Sequence, residues 1–334
     1  MRVLHLDSGR ELRGGQHQLQ LLVDGLQRRV GQALAVPREA PLRIALQGCV
    51  MFPASYRGPM GGITEISRII RRFEPDMVVA HTSRAHGVAV LATRLPVVVH
   101  RRVDFVPRQL SRWKYAAPAG FVAVSDAVAD VLRSTGVPAS RIRVVHDGVD
   151  PAPWRDPAPI RPIQLPDGVP WILAAGALVA HKGHATLVRA LVQLPGWHLV
   201  IAGRGHLAAA LLDQARALGV ADRVRLIGHR ADLPGLIAGC DVFVHPSLQE
   251  GLGQVVAEAL VTGARIVASR AGGIPEILGD RGVLVEPGDP GALATAIRRA
   301  ATLPKFRAEI LPVDNMVAGT LDAWRDLVPA AFRS

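Results

Sequence analysis

Two doubly wound α/β domains, joined by a proline-rich segment, are the architecture this sequence predicts. Three observations predict it. Strand-like apolar runs alternate with helix-like runs along the chain. A stretch with seven prolines, residues 150–170, interrupts that alternation near the middle. The 334 residues exceed what one hydrophobic core usually serves.

The elements follow in order. "MRVLHLD" is a short apolar strand, and "QHQLQLLVDGLQRRV" sets Leu19, Leu22, Val23 and Leu26 at helical spacing. In "ISRIIRRFEPDMVVAHT", Ile66, Ile69, Ile70 and Phe73 form one apolar stripe over 64–73. Pro75 then stops the helix, and "MVVAH" is a buried strand. "VVVH" (97–100), "FVAVS" (121–125), a helix from Asp126 and "IRVVHDGVD" complete the first half. Continuous apolar strands suit a parallel sheet covered on both faces. After the prolines come "WILAAGAL", helix 184–194, "HLVIAG", helix 206–218, "VRLIG", helix 232–239, "DVFVHPS", helix 254–262, "RIVAS" and helix 274–278. The expected divisions are a first domain at 1–152, an extended linker at 153–168 and a second domain at 169–312. A closing segment, 313–334, carries a helix over 314–328 whose apolar residues suit either domain, with a return to the first expected.

Composition narrows the function classes. A 49% hydrophobic, 20% charged chain is globular rather than disordered. Cys49 and Cys240 are too few and too far apart for a disulfide framework or a zinc site. The apolar start is broken at Asp7, which does not read as a secretory signal. No apolar run approaches the ~18–20 residues of a membrane span. The expected location is the cytoplasm, or the inner face of the cytoplasmic membrane as a peripheral protein. Of the net charge of +11, residues 1–152 carry +9. Such a half fits two readings equally: a solvated, arginine-rich surface, or an anionic partner in the form of phospholipid, a phosphorylated acceptor or nucleic acid. "RQLSRWKYAA" (108–117), with Arg108, Arg112, Lys114, Trp113 and Tyr115, is the better membrane candidate; Arg68, Arg71 and Arg72 read as an ordinary helix surface. Aromatics at 4% and no stacking platform argue against nucleic acid.

The chemistry concentrates in "HPSLQEGLGQVVAEAL" (245–260), where Glu250 and Glu258 flank a glycine turn opening a helix. A helix N-terminus favours anions, notably phosphate, and glycines let phosphate approach the backbone. The carboxylates can accept hydrogen bonds from hydroxyls at two ends of one ligand. Lys182 lies between a strand and a helix in "GALVAHKGH", where it can neutralise a diphosphate. "IAGRG" and "AGGIPE" add two further glycine turns. No acidic cluster points to a metal site.

This ordered set, "GALVAHKG", "IAGRG", "DVFVHPS", "EGLGQVVAE" and "AGGIPE", resembles the donor domain of retaining GT-B glycosyltransferases of family 4. In the first half "RGGQ", "HTSRAHG", "HRRVDF", "VSDAV" and "VVHDGVD" are similar to family segments, and the likeness is greatest to bacterial enzymes of lipopolysaccharide and surface-glycan synthesis. The resemblance implies two Rossmann-like domains facing a cleft. It implies transfer of a hexose, with retention, from a nucleoside-diphosphate sugar, a UDP-sugar in preference to a GDP-sugar, to a glycan or lipid-linked acceptor. It requires no cofactor and no metal. His100 and Glu250 would be catalytic, with Glu250 holding the hexose hydroxyls and His100 facing the sugar. Glu258 would hold the ribose. Leu252, Gly253 and Gln254 would cradle sugar and diphosphate, and Lys182 would pair with the diphosphate. Gly228, His229 and Arg230 would hold the base, and Gly14 and Gly15 would give the first domain room to approach. The family's arginine after the first glycine of "GALVAHKG" is Ala177 here, a place that His181, Arg101 or Arg102 could fill. A GT-B sugar-nucleotide epimerase, or a nucleotide-sugar-binding protein without turnover, is the alternative.

Overall fold

The computed structural model describes residues 1–46, 48–56, 59–107, 113–162, 165–308 and 310–333. They form two compact units, Met1–Gly148 with Leu311–Ser334, and Val149–Ile310.

Unit 1 runs β1 (Arg2–Leu6), α1 (Gly14–Leu26), β2 (Gly31–Val36), α2 (Leu42–Ala45), β3 (Val50–Pro53), α3 (Pro59–Phe73), β4 (Met77–Ala80), α4 (Ser83–Ala92), β5 (Val97–Arg101), β6 (Gly120–Ala123), α5 (Asp126–Ser134) and β7 (Ile142–Val144). The strands pair in parallel in the order β3-β2-β1-β4-β5-β6-β7. The strand order reverses direction between β1 and β4, the kind of switch point beside which ligands bind in such sheets. Leu6 pairs with Ala80, and Ala80 with Val99, so the residues just beyond them reach one sheet edge together.

Unit 2 repeats the plan with β8 (Trp171–Ala175), α6 (His184–Ala190), β9 (His198–Ala202), α7 (Ala208–Ala217), β10 (Val224–Gly228), α8 (Leu233–Gly239), β11 (Val242–His245), α9 (Gln254–Thr262), β12 (Ile266–Ser269), α10 (Ile274–Leu278), β13 (Val283–Val285) and α11 (Pro290–Thr302). Its parallel order is β10-β9-β8-β11-β12-β13, again reversing beside the first strand. Ile172, Leu199, Ile201, Val242, Val244 and Val267 face Leu187, Leu191, Leu293 and Ile297 in its core.

The closing helix α12 (Val313–Leu327) belongs to unit 1. Its Met316, Val317, Ala323 and Trp324 join Val3, Leu22, Val79 and Val98 in one buried cluster. Small residues let it come close: a side chain begun at Gly25 would lie 2.4 Å from Val317 Cγ2.

Several details differ from the sequence reading. The helix expected over 184–194 is α-helical only to Ala190 and tightens into a 3-10 turn, Leu191–Gln193. The helix expected over 206–218 spans only Ala208–Ala217. The proline-rich stretch is part of unit 2, where the Ile160 amide donates to the Gly235 carbonyl at 2.8 Å. In the basic-aromatic segment, Arg108 and Arg112 lie outside the described residues. Lys114 and Tyr115 are buried, the lysine donating to Ser83 Oγ and carbonyl at 2.9 Å, which leaves Trp113 exposed beside them. Among the described residues no helix is long and apolar enough to cross a membrane.

The packing of α12 gives a test. Gly25→Leu forces a side chain into the α1–α12 contact and should cost about 1–3 kcal/mol, read as a lower midpoint in urea unfolding. An unchanged midpoint contradicts this packing.

Candidate functional site

The strand-end loops of unit 2 touch backbone to backbone. After β8, Ala180–Lys182 make one 3-10 turn, and Gly183 then takes a left-handed conformation, φ +68°, to open α6. A Cβ at Gly183 would lie 1.9 Å from the Pro246 carbonyl oxygen, so no other residue fits. Leu248 also donates its amide to the His181 carbonyl at 2.7 Å. On the other side, Gly272, φ +51°, lies against the Glu250 carbonyl, where a Cβ would approach to 1.5 Å. Three loops, after β8, β11 and β12, are fastened to one another by these contacts.

The fastening brings together residues distant in sequence. Lys182 Nζ donates to Glu250 Oε2 at 2.5 Å, across 68 positions. His245, the last residue of β11, contacts the same oxygen through Nε2 at 2.8 Å. Ser247 Oγ lies 3.3 Å from that oxygen and 3.0 Å from His245 Nε2. A carboxylate only accepts, so His245 carries its proton on Nε2. Burial works to raise the Glu250 pKa, but the His245 hydrogen bond and the Lys182 charge outweigh it and hold the carboxyl well below its ordinary range. Burial holds His245 below its ordinary value, against the opposing pull of Glu250. The buried ring of His184, which opens α6 beside Gly176 and Ala177, is pushed down to about 4 by desolvation.

Glu258 is the opposite case. It sits one turn inside α9, with the Gln254 side chain as its hydrogen-bonding partner. Burial dominates and raises its pKa to about 8. The two glutamates therefore differ in charge at neutral pH: Glu250 is an anion that accepts, and Glu258 is an acid that can donate. Between them Gly253 caps α9 without a side-chain cap, so the positive end of the helix falls between the carboxyl groups. Leu252 is buried there, and Gln254 is the first helical residue.

The remaining residues of unit 2 lie further along the same edge. Gly228 ends β10, accepts from the Gly203 amide at 2.7 Å and is followed by exposed His229 and Arg230. Arg230 pairs with Asp232 at 2.6 Å. β10 stands two strands from β8, roughly 10 Å at the usual strand spacing. The His181 side chain is exposed.

Unit 1 gathers a separate cluster at its own strand ends. Arg102 Nη1 faces His81 Nδ1 at 3.3 Å, and His81 Nε2 faces His5 Nδ1 at 3.0 Å. His5 Nε2 faces Gln32 Oε1 at 3.2 Å, and Gln32 Nε2 donates to the Val23 carbonyl at 2.9 Å. Arginine cannot accept, so every proton in the chain has one place. His81 is protonated on Nε2 and His5 on Nε2, and neither can take a second proton without setting N–H against N–H. Burial agrees, pushing His5 down to about 4 and His81 well below its ordinary value. His100 lies beside His81, ring centroids 4.9 Å apart, and burial next to Arg102 keeps it neutral too. Arg102 is itself neutralised by Asp147 at 2.9 and 3.1 Å.

Arg101, next to Arg102, makes bonds of its own. Its nitrogens donate to the Val103 and Phe105 carbonyls and to Tyr115 Oη, one bond from each of Nε, Nη1 and Nη2. Gly14 opens α1, and a Cβ built there meets no atom within 4 Å. At Gly15 the nearest atom would be Arg102 Cδ at 3.9 Å. The protein's own packing does not demand these two glycines, which leaves room over the start of α1. Among the described residues no group of three or more His, Cys, Asp or Glu is placed to hold a metal ion.

Sequence reasoning assigned no role to His245, Ser247, His5, His81 or Asp147. The signal available for His245 was its place at the end of a strand, five residues before Glu250.

Glu258 makes the stability depend on pH. Its folded value of about 8 lies above the ordinary 4.5, so its stabilising contribution is complete below about pH 4.5 and is lost as pH rises through 8. Unfolding free energy should fall more steeply from about pH 5 to 9 in the native chain than in Glu258→Gln, as read by urea titration. Parallel slopes contradict the assignment.

Both halves of the chain match known families. Residues 169–302 match the family model "Glycosyl transferases group 1", and residues 6–153 match "Glycosyltransferase Family 4". A glycogen synthase of Mycobacterium tuberculosis is 30% identical over 254 residues, 68% of this chain and 60% of that protein. The lipopolysaccharide core biosynthesis glycosyltransferase LpsE of Rhizobium meliloti is 34% identical over 150 residues, 44% of each chain. The chain thus spans about 60% of the length of the first relative and less than half of the second. Among solved structures, Anabaena Alr3699/HepE in complex with UDP and glucose superposes with a TM-score of 0.78 at 21% identity, covering 100% of this chain and 98% of that one. By both of its halves, the chain belongs to the glycosyltransferases of the family 4 and group 1 type, with the GT-B fold.

Proposed function

We propose that the chain transfers a hexose from a nucleoside-diphosphate sugar, preferably a UDP-sugar, to a glycan or lipid-linked hydroxyl, with retention of configuration. The observation that carries this reading is one carboxylate, Glu250, held by Lys182, His245 and Ser247 at the mouth of α9, with neutral Glu258 a turn beyond. Ionised Glu250 suits sugar hydroxyls, which donate to it. Neutral Glu258 suits a ribose, whose hydroxyls can both donate and accept. The start of α9 and the Lys182 ammonium suit the diphosphate between them. Gly228, His229 and Arg230, two strands from β8, suit the base. The complex of HepE with UDP and glucose supports a donor of this class, and LpsE supports a role in cell-surface polysaccharide synthesis.

In the proposed step the bond from the anomeric carbon to the diphosphate oxygen breaks, and the acceptor oxygen bonds to that carbon on the same face. The departing phosphate takes the acceptor's proton. Lys182 exchanges Glu250 for the diphosphate as negative charge grows there, the moment at which a fixed cation is worth most. His100 is proposed as a further residue that contacts the sugar. The excess of positive charge in the first half fits a working place at an anionic, inner membrane face.

Release of nucleoside diphosphate from a panel of sugar nucleotides, in the presence of mixed glycan and glycolipid acceptors, tests the reading. Lys182→Ala and Glu250→Ala should each lower the rate about 10²–10³-fold while keeping a cooperative unfolding transition. Release from no donor, or unaltered rates in both variants, overturns it.

A further inference from the structure

The closing helix of the chain reaches the histidine cluster with one polar atom. Trp324 of α12 is fully buried, and its indole Nε1 lies 3.1 Å from His100 Nε2. The rings meet edge to face, 5.9 Å between centroids, and the indole also lies 5.9 Å from the His5 ring. Indole N–H only donates. His100 Nε2 must therefore be the accepting nitrogen, and the proton of the neutral ring is on Nδ1. An unrestrained neutral imidazole prefers the other tautomer, so Trp324 works against the intrinsic preference. Nothing in the Arg102–His81–His5 chain sets the His100 tautomer, because none of its hydrogen bonds includes His100.

We infer that Trp324 is a positioning residue: its indole N–H fixes His100 as the Nδ1–H tautomer, so His100 meets a ligand as a hydrogen-bond donor and not as a base. The donor would meet a hydroxyl oxygen of the sugar, a consequence that rests on the proposed function. The tautomer itself does not. The device explains why a helix from the far end of the chain carries a large side chain with one polar atom into the core of unit 1. It also gives the neighbouring histidines distinct duties. His5 and His81 are bound to each other and hold Arg102, while His100 keeps one N–H for use.

Long-range proton–nitrogen correlation spectra of the full chain, labelled with ¹⁵N-histidine, read the tautomers directly at neutral pH. The native protein should show His100 protonated on Nδ1 and bare on Nε2, with His5 and His81 both protonated on Nε2. In Trp324→Phe, which keeps an aromatic ring but loses the donor, the His100 signals should move toward the Nε2–H form while those of His5 and His81 stay. A native His100 protonated on Nε2, or an unchanged His100 tautomer in the variant, overturns the inference. If the variant fails to fold, the native spectrum alone decides, and it does so whether or not any sugar nucleotide turns over.

Discussion

The site in unit 2 depends on a steric constraint: backbone lies against backbone where the strands end. Gly183 touches the Pro246 carbonyl and Gly272 touches the Glu250 carbonyl, at separations that leave no room for a Cβ. These contacts set the heights of three loops relative to one another. Lys182, on one loop, then comes within hydrogen-bond reach of Glu250, on another. At these two positions the glycines of the strand-end turns are the means by which the protein packs its own loops. Room for a ligand is a second use, seen where no protein atom fills the space, as over Gly14.

One physical force, desolvation, acts on the ionisable groups of both units, and the partners decide its outcome. Glu250 is buried among a lysine, a histidine and a hydroxyl, and remains an anion. Glu258, eight residues on, has an amide as its hydrogen-bonding partner and is held as a neutral acid. The three clustered histidines, His5, His81 and His100, are kept neutral by burial, with the Arg102 charge adding to it at His81 and His100. An ionised carboxylate, a neutral acid and an ammonium thus stand together at the strand ends of unit 2.

The fold was legible where local patterns decide it. The helix over 254–262 and the turn of helix over 274–278 match their expected bounds, because glycines flank them on both sides. β2, β3 and β13 were not read. The four residues of β3 are only half-buried at a sheet edge, so they carry no alternation, and the three of β13 are too few to show one. Glu250, Glu258 and Lys182 were legible as motif residues, and their difference in charge was not, since it arises from neighbours brought in by folding. The histidine cluster was hidden for the same reason. Its members come from β1, the residue just after β4, β5 and the closing helix, and no spacing in the sequence links them. The hydrogen bonds of Arg101 to the Val103 and Phe105 carbonyls were not legible either.

The central claim is a nucleotide site in unit 2 with separate readers for ribose and diphosphate. Titration calorimetry with UDP, UMP and uridine addresses it most directly. The account predicts that UDP binds more tightly than UMP in the native chain, that this advantage shrinks in Lys182→Ala, and that Glu258→Ala weakens all three ligands alike. Absence of binding by UDP, or an equal affinity for UDP and UMP that Lys182→Ala leaves unchanged, would contradict it.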